Sequence, residues 1–179
     1  MKSFPTLLAV GLLALPCLAE TQTGSSTVSS TNSPSAPSVV ITLPLSSAVI
    51  AAPLVLTNDC LSQPEQTELA AGGKAVFNFT ITHAGTYVIQ AVVNAPEEDA
   101  NSFFINIDGK PEDPMMIWDV AVTSGFEERI VSWRGHNGDM FTNEFAPKRF
   151  ELAAGTHQLI LIGREPAKLK SLSLKLAGK

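Results

Sequence analysis

A two-residue alternation of apolar and polar side chains dominates this chain, and no stretch has a convincing helical period. In KAVFNFTI, Phe77, Phe79 and Ile81 share one parity, and polar residues occupy the other. Successive side chains of a strand point to opposite faces, so this pattern predicts a half-buried β-strand. Similar patterns or further candidate strands occur at 86–95, 102–108, 117–122, 128–134, 148–153, 157–164 and 169–176.

The spacing of these strands predicts the fold class. Short strands separated by turn signals at regular intervals are typical of an all-β sandwich. Two of the turns, HAGTY at 83–87 and AAGTH at 153–157, each place a glycine just before a strand. Gly85 and Gly155 suit such turns because glycine adopts positive φ without a steric clash.

Length and charge narrow the class of partner. The chain has 179 residues, of which 45% are hydrophobic and 16% are charged, so it can form one domain with a real core. Its net charge is −5, and it has no run of Lys or Arg. Binding to a phosphate backbone needs clustered basic residues, so we expect no nucleic-acid partner.

The start of the chain predicts export. Lys2, the short apolar run LLAVGLLAL and the small residue Ala19 together indicate a signal peptide over 1–19. A membrane anchor, or a lipoprotein modified at Cys17, are the alternatives. Residues 20–38 are rich in Ser, Thr and Pro and predict a flexible linker. The remaining 39–179 form the predicted β-sandwich domain of a secreted or periplasmic protein.

Cysteine content excludes two kinds of scaffold. After cleavage only Cys60 would remain, which leaves neither an internal disulfide nor a Cys-rich zinc site. The two alternatives for Cys60 are a buried small hydrophobic residue and a reactive thiol.

Four segments carry a resemblance to a known family. They are AVFNFTITHAGTYVIQAVVNA, NSFFINIDG, the pair IWDV and ERIVSWRG, and RFELAAGTHQLILIGREPAKLKSLSL. In this order, over about residues 39–177, the chain resembles the galactose-binding-like β-sandwich. More narrowly, it is similar to carbohydrate-binding modules of families 6 and 35 and to their uncharacterised secreted relatives.

The resemblance implies a jelly-roll fold and a function. Such modules bind sugars in a loop cleft at one end of the sandwich or on a concave sheet face, and they are not catalytic. A structural calcium ion is a feature of many of them. Here SSAVIAAPLVL stands where a Glu-rich first strand often supplies a calcium ligand, so a structural calcium ion and no cofactor are the two alternatives.

Trp133 is the leading candidate for ligand contact. It opens the polar loop WRGHNGD, where Arg134 and Asn137 are close in sequence. An aromatic ring can stack on the C–H face of a sugar while polar neighbours bind its hydroxyls. The alternative is a core tryptophan at the end of a strand. Trp118 shares its parity with Val120 and Val122, which favours core packing for that residue.

Three further residues are candidates for the site. Phe104 shares the predicted non-core face of its strand with Asn106 and could form a second aromatic platform. Asn101, at the start of that strand, is a candidate hydrogen-bond donor. Arg164 ends a strand beside Glu165, and it could contact sugar directly or form an ion pair that positions the last strand.

No catalytic motif is present, so we expect a non-enzymatic protein. The first hypothesis is a module that binds polysaccharide or another glycan. The second is a structural or protein-binding sandwich of the cell envelope with a degenerate sugar site and an envelope protein as partner. The third is a small hydrolase with two carboxylates assembled in space.

Overall fold

A computed structural model describes residues 39–135 and 145–177. The predicted signal peptide (1–19), the predicted linker (20–38) and the candidate residue Asn137 lie outside these ranges. Within them, no helix is both long and apolar enough to cross a membrane.

Strands are the main elements of the described chain. They are β1 (Val40–Leu43), β2 (Val49–Ala51), β3 (Val55–Thr57), β4 (Cys60–Ser62), β5 (Lys74–Ile81), β6 (Gly85–Asn94), β7 (Ser102–Ile107), β8 (Ile117–Asp119), β9 (Glu127–Ile130), β10 (Phe150–Leu152), β11 (Gly155–Gly163) and β12 (Lys168–Leu176). Two single 3-10 turns occur at Leu45–Ser47 and Glu98–Ala100.

The described strands form two antiparallel sheets. In the larger sheet the order is β10-β6-β12-β4-β3, with β1 paired to β12 and β9 paired to β6. In the smaller sheet the order is β2-β5-β11-β7-β8. The prediction of an all-β sandwich is confirmed.

The core lies between the sheets and follows the predicted parity. Phe77, Phe79 and Ile81 of β5 point inwards, as do Leu172 and Leu174 of β12. Burial of such side chains is the main favourable term in folding. Trp118 is 1% exposed and packs against the ring of Phe103 with the ring centroids 5.7 Å apart, so its predicted core position is confirmed.

The prediction of an exposed face around Phe104 is wrong. Phe104 is 0% exposed and belongs to a second apolar cluster with Ile117, Ile160 and Ile162, on the outer face of the smaller sheet. Leu69 packs against this cluster because the segment before β5 crosses the sheet. In that segment, Thr67 donates its N–H to Arg164 O at 2.8 Å and its Oγ1 hydrogen to Gly163 O at 3.2 Å.

The pairing of β1 fixes where the chain enters the sandwich. Val40 lies opposite Lys175 and Leu43 opposite Leu172, and the N–H of Leu176 donates to Val39 O. The first described residues therefore lie beside the C-terminal end of β12.

His157 forms a clasp between two loops. Its Nδ1 lies 2.6 Å from Asp108 Oδ2, and its Nε2 lies 2.8 Å from Ala153 O. Ala153 O and the ionised Asp108 carboxylate are both acceptors, so the protonated imidazole, with hydrogen on both ring nitrogens, fits this geometry best. The hydrogen bond with Asp108 raises the pKa of His157 above 6.5, although burial opposes the shift. Burial alone would raise the pKa of Asp108, but hydrogen bonds from His157 and the Gln158 N–H outweigh it and lower that pKa.

The clasp predicts pH-dependent stability. Stabilisation from His157 is complete below its unfolded pKa of 6.5 and is lost as the pH rises through the raised folded value. Stabilisation from Asp108 is present above its unfolded value of 3.8 and is lost as the pH falls through the lowered one. Thermal unfolding across pH should therefore show His157→Gln lowering Tm most near pH 5, with a smaller difference at pH 9. The loss should be at most about 1 kcal/mol, because Asp108 is half exposed. His83→Gln, at an exposed histidine, is the control. If His157→Gln changed Tm by the same amount at every pH, and by no more than His83→Gln does, the hydrogen bond between His157 and Asp108 would not stabilise the fold.

The burial of Phe104 predicts a large cost for its truncation. Phe104→Ala should lower the free energy of unfolding by about 3–5 kcal/mol, because it removes a ring from a closed apolar cluster. In urea unfolding, this loss appears as a lower midpoint concentration of urea at an unchanged m-value. Phe126→Ala is the matched control, since that ring is 41% exposed and its loss should cost much less. Equal costs for the two variants would show that the Phe104 ring is exposed.

Candidate functional site

A polar cleft lies at the end of the sandwich where β8 and β11 end and β7 begins. We call it the loop-end cleft, and its volume is about 400 Å³. Three of the predicted site residues, Asn101, Arg134 and Arg164, line it together although they are far apart in sequence. The other lining residues are Glu98, Asp119, Phe145 and Glu165.

A buried carboxylate organises one wall of the cleft. Glu165 is 5% exposed, and its Oε2 accepts the backbone N–H of Asn101 at 3.0 Å. Its Oε1 accepts a hydrogen bond from Arg164 Nη1, which also donates to Ser102 Oγ at 2.7 Å. A buried carboxylate needs such partners because an unpaired one is strongly destabilising. The ion pair expected between Arg164 and Glu165 is therefore present.

Arg164 is held by only one of its nitrogens. Its Nε and Nη2 make no hydrogen bond with any other residue in the described part of the chain. The side-chain amide of Asn101 likewise has no partner within 39–135 and 145–177. Both residues thus have polar groups at the cleft that can bind a ligand.

The opposite wall is fixed by a bidentate ion pair. Arg134 Nε and Nη2 donate to the two carboxylate oxygens of Asp119 at 2.7 and 2.6 Å. The backbone N–H of Arg134 also donates to Ile117 O, which ties the segment after β9 to β8. Planar pairing of this kind fixes both side chains in orientation. Arg134 is therefore a wall residue whose direction is set by Asp119.

Trp133 lies at the margin of the core and is not part of the cleft lining. Its Nε1 donates to Ile105 O at 2.9 Å. The Trp133 and Phe150 rings pack edge to face. Lys148 Nζ lies 4.0 Å from the ring centroid, in cation–π contact. Burial lowers the pKa of that ammonium group. The indole N–H and part of the ring surface are thus engaged within the protein.

Among the described residues, the exposed aromatic of the cleft is Phe145, which the sequence analysis missed. It lines the cleft with 55% of its surface exposed. It belongs to no strand, so the alternation of apolar and polar residues does not indicate it. Its position after a segment without a strand pattern, in a chain with few aromatics, is the only clue in the sequence.

A metal site is not evident among the described residues. In 39–135 and 145–177, no three His, Cys, Asp or Glu side chains come together in a way that could hold a metal ion. The carboxylates of Asp119 and Glu165 are bound to arginines. We therefore assign no cleft residue to calcium, and calcium stays a prediction.

Comparison with known proteins gives matches of structure only. No protein-family model matches the chain, and no curated protein matches it. Among solved structures, a carbohydrate-binding module (CBM6cm-2) from Cellvibrio mixtus lichenase 5A, in complex with cellotriose, is 14% identical with a TM-score of 0.52. The match covers 78% of this chain and 100% of that one.

Two further structures are similar to this chain. The C-terminal CBM6 of LamC, a marine laminarinase from Zobellia galactanivorans, is 12% identical with a TM-score of 0.51, over 76% of this chain and 98% of that one. A mannan binding module from Man5C is 17% identical with a TM-score of 0.50, again over 76% and 98%. At such low identity the likeness concerns the fold, and the predicted resemblance in fold is confirmed: the described chain has the β-sandwich of carbohydrate-binding modules.

Proposed function

We propose that this protein is a non-catalytic carbohydrate-binding module that holds a polysaccharide in the loop-end cleft. The observation that carries the proposal is the meeting of polar groups from Asn101 and Arg164 with the exposed ring of Phe145 in one cleft. Three structures with the same fold are carbohydrate-binding modules or are named for a polysaccharide, which supports it.

The cleft suits the two chemical faces of a sugar. Sugar hydroxyls need directional donors and acceptors, which the Arg164 guanidinium and the Asn101 amide supply. The C–H face of the ring needs an exposed apolar surface, which Phe145 supplies. A mostly rigid cleft also limits the entropy lost on binding, because the ion pairs already hold its walls.

The carboxylates of the cleft favour binding over hydrolysis. A glycosidase needs one carboxyl group that gives a proton and a second that acts as base or nucleophile. Asp119 is held by both nitrogens of a bidentate arginine, and Glu165 is buried against Arg164 and the Asn101 N–H. Both carboxylates therefore serve to hold the walls. Among the described cleft residues this leaves Glu98 as the one carboxylate without an ion pair, and a glycosidase needs two, which supports a non-catalytic role.

The setting of the protein remains part of the proposal. A signal-like start over 1–19 supports a secreted or periplasmic location. An envelope sandwich without sugar binding is the second hypothesis, and the half-buried position of Trp133 favours it. Glycan binding by the cleft separates the two hypotheses.

Loss of the exposed ring should weaken binding without harming the fold. We expect Phe145→Ala to reduce the affinity for a bound polysaccharide about tenfold, or about 1.4 kcal/mol, at an unchanged Tm. Affinity electrophoresis against a panel of soluble polysaccharides finds the ligand, and titration calorimetry then measures Kd. Asn101→Ala should weaken binding in the same assay.

Two controls make the result specific to the cleft. Phe126→Ala removes another exposed ring, outside the cleft, and should leave Kd unchanged. Trp133→Ala should lower Tm and leave Kd nearly unchanged, since the indole is bound within the protein. If no glycan binds the folded domain, or if Phe145→Ala binds as well as the parent, the proposal fails and the envelope sandwich is favoured.

A further inference from the structure

A second depression adjoins the loop-end cleft. It lies between β8 and β9, strands at the edges of the two sheets, and its volume is about 250 Å³. Asp119 and Phe145 belong to the lining of both depressions, so the two are neighbours. We call the second one the apolar groove, because Val120, Ala121, Ile130 and Pro147 are among its walls.

Ser132 places an unpaired, buried hydroxyl group in the wall of this groove. It is 1% exposed, and its Oγ is buried with no hydrogen-bond partner in 39–135 or 145–177. Its backbone is bridged to Pro147, so both residues are fixed in the same wall. Buried hydroxyls in native proteins are normally paired, and an unpaired one calls for an explanation.

We propose that the apolar groove binds an acetyl group carried by the sugar in the loop-end cleft, so that the ligand is an acetylated polysaccharide. The inference rests on the proposed function. An acetyl group has a methyl, which suits walls such as Val120 and Ile130, and a carbonyl oxygen that only accepts. Ser132 Oγ is covered in the structure, so the groove wall around it must shift slightly before this hydroxyl can donate its hydrogen to that oxygen and gain a partner.

Other substituents fit the groove less well. A free sugar hydroxyl would lose water at the apolar walls and would bring a second donor that needs an acceptor. A carboxylate would lie beside Asp119 and Glu128, which line the groove, and like charges repel. Among the described residues of the lining, the one cation is Arg129, which is already paired with Glu127 at 2.7 Å.

Matched pairs of ligands test the inference. Titration calorimetry compares acetylated glucomannan and acetylated xylan with the same polymers after alkaline deacetylation. A second arm compares N-acetylglucosamine oligosaccharides with cello-oligosaccharides of equal length, which separates an amide-linked from an ester-linked acetyl group. We expect at least one pair to show about fivefold or greater preference for the acetylated member, the range of one hydrogen bond and one buried methyl.

Variants locate the preference in the groove. Ser132→Ala should reduce the preference to near one, leave the affinity for the deacetylated member unchanged, and keep Tm equal or higher because a buried unpaired hydroxyl is removed. Ala121→Leu fills the groove from an exposed position and should also remove the preference. Ser171→Ala, on β12, is the matched control that should retain it.

The outcomes separate this inference from the proposed function. Equal binding of both members of every pair, or a preference that survives in Ser132→Ala, overturns the acetyl site and leaves a carbohydrate-binding cleft. Absence of binding to any glycan overturns the proposed function and the acetyl site together.

Discussion

The carboxylate of Glu165 is the group on which the loop end of this sandwich depends. It follows β11, lies almost fully out of contact with water and binds both the Asn101 N–H and Arg164. A charge in such a position is tolerated only when neighbours satisfy it, so its partners cannot move independently. The backbone N–H of Glu165 also donates to Ser102 O, which joins the end of β11 to the start of β7. The position of this cleft wall therefore follows from the hydrogen bonds that satisfy the buried charge of Glu165.

The ion pair between Arg134 and Asp119 holds the opposite wall of the cleft, and it also connects the two sheets. Arg134 and Asp119 connect the segment after β9, in the larger sheet, to β8 in the smaller one. This pair therefore bridges the two sheets at their open edge, while Glu165 acts within the smaller sheet. Both arginines are oriented by carboxylates, Arg134 through two of its nitrogens and Arg164 through one, so the charges of these two pairs are compensated within the cleft walls.

Side-chain parity predicted the strands well and the coverage of their outer faces poorly. Parity correctly placed Trp118 and the inward rows of β5 and β12, because a sandwich buries one face of each strand. It failed for Phe104, since parity tells which side a residue faces and not whether another segment crosses that side. The segment around Leu69 does cross it, held by hydrogen bonds to Gly163 and Arg164, which are about 95 residues away in sequence. The meeting of Asn101, Arg134 and Arg164 depends on the same long-range pairing, and only the family resemblance indicated that a loop cleft would form.

The antiparallel pairing of β1 with β12 sets how far the first described residues lie from the cleft. Val40 lies opposite Lys175, whereas the cleft residues Arg164 and Glu165 come just before Lys168, where β12 begins. The seven residues between Lys168 and Lys175 span about 23 Å at the rise of a β-strand. Val39 and Ala177 therefore lie at the pole of the domain remote from the cleft. The two ends of the domain over 39–177 and the polar groups of the cleft thus occupy opposite poles, separated by the length of β12.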